Sequence, residues 1–127
     1  MSLLTKEQIF AAKDIQTEDV DLTKWWGGSV RLKSLTGHGR DNFEQKCVNR
    51  RKGKDNMDLR GLKVALLALT IVDTDGKLMF TEKELHALNN KAAAPINLLF
   101  EKAQEMNGLG EDIVKELEGN SESALNE

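Results

Sequence analysis

The chain has little of the chemistry from which catalytic, metal-binding and cross-linked sites are usually built. Its 127 residues include one cysteine, two histidines and no tyrosine. Cys47 has no second cysteine with which to form an internal disulfide bond, which favours a reducing compartment. His38 and His86 lie far apart with no cysteine near them, so zinc-ligand spacing is absent. We expect no metal ion, no other cofactor and a buried, structural thiol.

Long apolar runs are also missing. The longest candidate, residues 64–72, is interrupted by Thr70 and falls far short of the roughly 18 residues of a membrane span. The first ten residues have neither the basic start nor the long apolar core of a secretory signal. With 39% apolar and 31% charged residues, the composition is typical of a globular, helix-rich domain with a small aliphatic core. We therefore expect one domain, residing in the cytoplasm and not contacting a membrane.

Charge is unevenly distributed along the chain. The net charge is −3, yet residues 1–63 contain 13 Lys and Arg against 9 Asp and Glu, and residues 64–127 contain 5 against 12. This modest asymmetry suits docking against other proteins more than tracking a phosphate backbone. The basic cluster Arg50–Lys54 could contact phosphates while Trp25 stacks on a base. A solvated helix end explains the same cluster, so a small nucleic-acid-binding regulator remains an alternative of lower weight.

The most informative stretch is Glu18–Glu44, EDVDLTKWWGGSVRLKSLTGHGRDNFE, which contains both tryptophans at a Trp-Trp-Gly-Gly corner. Its alternation predicts a β-hairpin with strands over Val20–Trp26 and Val30–Leu35. A three-residue loop, Gly27–Ser29, would place Trp26 opposite Val30. The face turned to the core then carries Val20, Leu22, Trp26, Val30 and Leu32. The exposed face carries Arg31 and Lys33 with Trp25 beside them.

Helix signals fill most of the remaining chain. Thr5-x-x-Gln8 and Thr81-x-x-Glu84 are capping-box patterns, and Pro95 suits the first turn of a helix. The predicted helices are Lys6–Lys13, a helix capped by Thr36 and ending near Lys52, Asp58–Val72, a helix capped by Thr81 and ending near Asn90, Pro95–Asn107 and Glu111–Glu118. The expected fold is therefore α+β, with an N-terminal β-hairpin packed on a small bundle of four to five helices. We expect a single domain over residues 1–118 and a disordered C-terminal tail over 119–127.

The segment Asp73-Thr74-Asp75-Gly76, followed by Glu82 and Glu84, resembles part of a calcium loop. If Gly76 takes the sixth position of an EF-hand loop, the first ligand falls on Ile71, which has no side-chain oxygen. Starting the loop at Asp73 instead leaves glycine at the fourth position. Neither register supplies a full ligand set, so a tight turn before a capped helix is the preferred interpretation.

No pattern of an activated nucleophile or a phosphate loop is present. Ser29 and Ser34 lie outside any G-x-S-x-G sequence, and no histidine or aspartate can be assigned to activate Cys47. Gly27-Gly28 lies between two predicted strands rather than ahead of a helix, and no Lys-Ser or Lys-Thr follows it. We expect a protein that is not an enzyme.

An ordered set of short segments resembles the tail assembly chaperones of long-tailed bacteriophages, the group that includes XkdN-like proteins. The segments are Leu4–Ala12, Val20–Leu22, Trp26–Val30, Leu35–Gly37, Arg40–Asp41, Phe43–Glu44, Leu67–Asp73, Asp75–Leu78, Phe80–Thr81, Leu99–Phe100 and Asn107–Leu109. Together they span about residues 3–110. Two departures from the family pattern are the doubling of the tryptophan by Trp25 and the glycine at Gly39, where the family tends to have a capping acid.

The resemblance implies a non-enzymatic factor that binds the phage tape-measure protein and assists the polymerisation of tail-tube protein around it. Such a factor would act in the cytoplasm of the bacterial host and be absent from the mature virion. A structural tail or head–tail component is the first alternative, and self-association into a homo-oligomer is compatible with either. As candidate partner-binding residues we single out Trp25, Arg31 and Lys33 on the hairpin and Leu98, which falls outside the apolar stripe of the Pro95–Asn107 helix.

Overall fold

The computed structural model of the chain describes residues 2–51 and 59–109. Within these ranges six α-helices and a three-stranded antiparallel sheet form the α+β fold that the sequence predicts. The elements are α1 Lys6–Ala11, β1 Thr17–Asp21, α2 Thr23–Trp26, β2 Ser29–Lys33, α3 Gly37–Arg51, α4 Leu59–Ala68, β3 Ile71–Val72, a 3₁₀ turn Glu82–Glu84, α5 Leu85–Asn89 and α6 Ala93–Met106. The predicted helix at 111–118, the tail at 119–127 and the domain boundary between them lie outside the described residues.

The predicted helix starts at Lys6 and after Thr36 are confirmed. Thr81 starts the 3₁₀ turn that leads into α5, and α6 begins at Ala93, two residues before the predicted Pro95. At α1 the backbone N–H of Thr5 donates to Gln8 Oε1 (2.9 Å), and the N–H of Gln8 donates to Thr5 Oγ1 (3.2 Å), which completes a capping box. At α3 the hydroxyl of Thr36 accepts the N–H of Gly39 at 3.0 Å. One side-chain oxygen on Thr36 therefore caps this helix even though position 39 has no acidic side chain.

The predicted register of the hairpin is wrong. Val20 pairs with Val30 and Asp21 with Ser29, so that Leu22 through Gly28 form the connection instead of Gly27–Ser29 alone. Trp26 therefore lies in the connection rather than opposite Val30. The difference between the two registers is an even number of residues, so every strand residue keeps its predicted face.

The connection is stabilised by a local turn that alternation cannot reveal. Asp21 Oδ1 accepts the N–H of Thr23 at 2.9 Å and its hydroxyl at 2.6 Å, which starts the helical turn α2. The turn ends at Gly27, whose φ of 76° lies in the left-handed region. The N–H of Leu22 then closes the connection by donating to the carbonyl of Gly28 at 2.9 Å.

A third strand was not predicted. The apolar run predicts a central helix that extends to Val72. Instead α4 ends at Ala68, and Ile71–Val72 pair with Leu32 and Arg31 of β2. Thr70 makes this change of direction possible: its hydroxyl donates to the carbonyl of Leu66 at 3.0 Å, and its own carbonyl accepts the N–H of Lys33 at 2.8 Å. The buried hydroxyl of Thr70 is thus satisfied by the end of α4, and its backbone carbonyl is satisfied by the sheet.

The core lies between one face of the sheet and the helices α3–α6. Helix α4 is buried along most of its length and contacts α3, α5 and α6, as its continuous apolar sequence predicts. The stripe of α6 that faces α4 contains Ile96, Leu99, Phe100 and Ala103, all of which are buried. Phe43 and Cys47 of α3 are buried against the same core, which confirms the structural position of the thiol.

Candidate partner-binding surface

The tryptophan corner places its two indole rings differently. Trp25 is 39% exposed, whereas Trp26 is half-buried and packs against the core. The backbone N–H groups of both residues donate to the carbonyl of Leu22, at 3.0 and 2.8 Å, which fixes the orientation of the turn. Lys24 Nζ lies 5.3 Å from the centroid of the Trp25 ring, within the range of a cation–π contact. An exposed indole with a cation over it can contact both apolar and anionic groups of a partner.

Arg31 is held in an ion pair on the exposed face of the sheet. Its Nε lies 2.7 Å from Asp19 Oδ1 and its Nη2 lies 3.1 Å from Asp19 Oδ2, which is the two-point geometry preferred by guanidinium and carboxylate. The hydrogen bond from Arg31 lowers the pKa of Asp19, and the same bond raises the pKa of Arg31. A partner that engages Arg31 must therefore share or replace Asp19.

Lys33 lies two residues further along β2 on the same face, paired with Thr17 of β1. Its side chain is half-buried. The sheet thus brings Arg31 and Lys33 together, with the cations at successive positions of one face. Trp25 lies beyond the other end of β2, in the connection, and its ring contact is with Lys24 rather than with either of these cations.

Leu98 is 40% exposed on α6, as its position outside the inner stripe predicts. It lines a groove of about 310 Å³ between α6 and β1 whose other walls are Asp19, Val20, Glu101, Lys102 and Glu105. Lys102 Nζ lies 2.9 Å from Glu18 Oε2, and this hydrogen bond, with the nearby charge of Glu105, raises the pKa of the lysine. The groove is therefore lined by an exposed leucine and by charged residues that are mainly acidic.

A second groove, of about 340 Å³, is lined mainly by apolar groups. Its walls are Trp26, Phe80, Glu84, Ala87, Leu88 and Lys91. None of the four predicted site residues belongs to it. The hairpin pattern predicts Trp26 on the face turned to the core. Its ring packs against the core and also lines this groove.

In the segment that resembles a calcium loop, the carboxylate of Asp73 binds backbone N–H groups of its own turn. Asp73 Oδ1 accepts the N–H of Asp75 at 2.8 Å and that of Lys77 at 3.0 Å, and Gly76 at the turn has φ 81°. The arrangement is a tight turn followed by the helix that Thr81 starts, as the sequence favours. In the described part of the chain no three side chains of His, Cys, Asp or Glu come together as a metal site. No helix there is long and apolar enough to cross a membrane.

Comparison with solved structures identifies the architecture. The chain superposes on the tail assembly chaperone of bacteriophage HK97 with a TM-score of 0.56, covering 79% of this chain and 90% of that one, at 20% sequence identity. The chain has the fold of a phage tail assembly chaperone. No protein-family model matches the sequence. No curated protein matches it either.

Apolar side chains ahead of β1 form a surface feature of this chain that the sequence did not single out. Five exposed large apolar side chains precede β1, and these are Leu3, Leu4, Ile9, Phe10 and Ile15. Helix α1 buries none of its residues. The sequence indicates this exposure, because adjacent residues such as Ile9 and Phe10 project from different sides of a helix. A helix of six residues cannot turn both onto one narrow apolar stripe.

Proposed function

We propose that this protein is a phage tail assembly chaperone: it binds the tape-measure protein of its phage and assists the polymerisation of tail-tube protein, without catalysing a reaction. The observation that carries the proposal is the match in fold to the HK97 tail assembly chaperone, over 90% of that chain. The ordered sequence resemblance, spread over about residues 3–110, supports the same role separately from the match in fold. The protein would act in the cytoplasm of the infected bacterium and leave the tail before the virion is complete.

The surface available for such a role is apolar and open rather than enclosed. A chaperone for a long helical client needs exposed apolar side chains that bind the client reversibly. Trp25 and Leu98, which are 39% and 40% exposed, supply such contacts. Arg31 and Lys33 add cations on the neighbouring face of the sheet. We assign partner binding to these four residues within the proposed function.

Co-expression with the tape-measure protein of the same phage tests the function. The expected result is a larger soluble fraction of the tape-measure protein and a complex that co-purifies with it. Leu98→Ser should weaken the complex, while Leu78→Ser, a matched change at a leucine that is 46% exposed on the turn after β3, should leave it unchanged. Circular dichroism of both variants establishes that the fold is retained.

Two results would contradict the proposal. If no complex forms and the protein is present in stoichiometric amounts in purified virions, it is a structural tail component, and light scattering of the pure protein should then show rings or tubes. If instead it shifts DNA or RNA in a gel at low salt, and neutralising Arg50–Lys54 removes the shift, it is a nucleic-acid-binding regulator.

A further inference from the structure

Strand β1 is the open edge of the sheet. The strand order is β1-β2-β3, so β1 has a neighbour on one side only within the described residues. The other edge is covered, because Leu78 bridges to Val72 and the N–H of Met79 donates to the carbonyl of Ile71 at 3.0 Å. Along β1 every residue except Val20 is exposed. An open strand edge is a template for one more strand.

The hydrogen bonds at the two ends of the hairpin show which backbone groups of β1 are turned outward. Gln16 accepts the N–H of Ser34 at 2.8 Å, and Leu22 donates to Gly28 at 2.9 Å, so the even-numbered residues face β2. In an antiparallel pair these groups alternate along the strand. The N–H and C=O groups of Thr17, Asp19 and Asp21 therefore point away from the sheet, spaced for the next strand.

The groove beside Leu98 lies directly under this edge. Asp19 and Val20 of β1 form one wall of it, and Leu98 and Glu101 of α6 form another. A strand added to β1 would continue the sheet over this groove, and every second side chain would point down into it. The apolar surface of Leu98 suits an aliphatic side chain at that place, and the carboxylates of Glu101 and Glu105 suit a cation beside it.

Charge selects the kind of strand that fits. The edge carries Glu18, Asp19 and Asp21. Glu18 is paired with Lys102 and Asp19 with Arg31, and Asp21 binds its own turn through Thr23. With Glu101 and Glu105 of the groove, five carboxylates face two cations, so the site keeps a net negative charge. Two copies of β1 paired antiparallel about Asp19 would place like charges directly opposite each other, which is destabilising. The edge therefore disfavours a second copy of itself and favours a segment that carries lysine or arginine.

We propose that β1 and the groove beside Leu98 bind an extended, basic segment of a partner protein, which adds to the sheet as a fourth strand. Aliphatic side chains of the segment lie on Leu98, and its lysine or arginine side chains lie between Glu101, Glu105 and the acidic edge. Leu98 also belongs to the partner-binding residues of the proposed function, but binding of this segment depends on the strand edge and its charge. Its test uses no tail protein, so its failure and the failure of the proposed function are separate results.

The probe is a fluorescein-labelled short peptide with the repeat Val-Thr-Lys-Thr, which directs valine and lysine in turn at the groove. It is titrated with the whole protein and followed by fluorescence anisotropy. In amide NMR spectra of the labelled protein, the peptide should shift the signals of residues 17–21 and slow the exchange of the Thr17 and Asp19 N–H groups. Glu101→Lys combined with Glu105→Lys should weaken binding at least about tenfold. Glu7→Lys combined with Asp41→Lys, the same change in net charge at exposed acids away from the groove, should not weaken it.

A second peptide separates strand addition from simple charge attraction. It has the same sequence with an N-methyl group on every amide, so that it keeps its charge but cannot donate to β1 from either edge of the strand. We expect this peptide not to bind. Equal binding of the two peptides, signal shifts that avoid residues 17–21, or no binding of the first peptide at millimolar concentration would each overturn the proposal.

Discussion

The backbone N–H of Leu35 donates a 2.5 Å hydrogen bond to Oδ1 of Asn107, which lies 72 positions later in the chain. The amide of Asn107 also donates to the carbonyl of Ala103 at 2.8 Å, and its own carbonyl accepts Arg40 Nη1 at 3.1 Å. One asparagine thus connects the end of α6 to the segment between β2 and α3.

Replacing this asparagine should destabilise the fold. Asn107→Ala removes the acceptor of a partly buried N–H, and we expect a loss of about 1–3 kcal/mol in the free energy of unfolding, measured by urea denaturation. Asn90→Ala, at an exposed asparagine that ends α5, is the control and should change stability by less than about 0.5 kcal/mol. Equal effects of the two variants would show that the bond to Leu35 contributes nothing.

Adjacent leucines on α6 provide a test of the core. Leu99 is completely buried and Leu98 is 40% exposed. Leu99→Ala should cost about 2–5 kcal/mol because it removes buried apolar surface and leaves a cavity. Leu98→Ala should cost less than about 0.5 kcal/mol. Thermal or urea unfolding of the two variants distinguishes them, and a similar loss for both would mean that α6 is rotated from the orientation described.

The two glycines of the tryptophan corner should respond differently to alanine. A Cβ atom at either Gly27 or Gly28 would meet no atom within 4 Å, so space does not separate them. Gly27 has φ 76°, which costs an L-residue about 1–2 kcal/mol, whereas Gly28 has no positive φ. Gly27→Ala should therefore lower the unfolding free energy by about that amount, and Gly28→Ala should be nearly neutral. Equal effects of the two substitutions would contradict the left-handed conformation of Gly27.

The ion pair between Asp19 and Arg31 should make stability depend on pH in acid. The hydrogen bond from Arg31 lowers the pKa of Asp19 below its ordinary value of 3.8. The pair therefore stabilises the fold at and above the ordinary value, and this contribution is lost as the pH falls through the lowered pKa. Asp19→Asn should lower the melting temperature at pH 7. Its difference from the wild type should shrink as the pH falls below 3.8 and vanish once Asp19 is protonated in the folded protein.

Salt and the partner residue provide the controls for that measurement. Because both side chains are about half exposed, the effect at pH 7 should be small and should shrink in high salt. With Arg31→Gln already present, adding Asp19→Asn should produce no further pH-dependent difference. A difference that persists in this background would assign the pH dependence to another group.

The fold was largely predictable because its strongest signals are local. The capping boxes at Thr5 and Thr81 mark helix starts through side chains three residues apart, and these starts are correct. The face assignment of the hairpin is also correct, since alternation depends only on the parity of the register. The register itself depends on Asp21 capping a turn at Thr23, which is a hydrogen bond that alternation does not report.

The third strand and the grooves could not be predicted for a related reason. Ile71 and Val72 continue the apolar run of α4, and a buried strand of two residues has the same hydropathy as the end of a buried helix. The groove at Leu98 exists because β1 and α6, about 80 positions apart in the sequence, lie side by side. The sequence identifies Leu98 as outside the stripe, but the surface that it faces is a property of the tertiary structure.

The exposure of every residue of helix α1 has a consequence for the evolution of the chain. None of its residues is buried, so the folded state draws no core stability from Ile9 or Phe10. Substitutions at these two positions are therefore nearly free of selection for folding, and whatever maintains two adjacent large apolar residues there must act on another property of the protein. Leu32 and Leu99 are constrained in the opposite way, because they are buried and any change in their volume disturbs the packing of the core. Divergence between related chains should consequently be slow at Leu32 and Leu99, whereas folding sets no limit on Ile9 and Phe10.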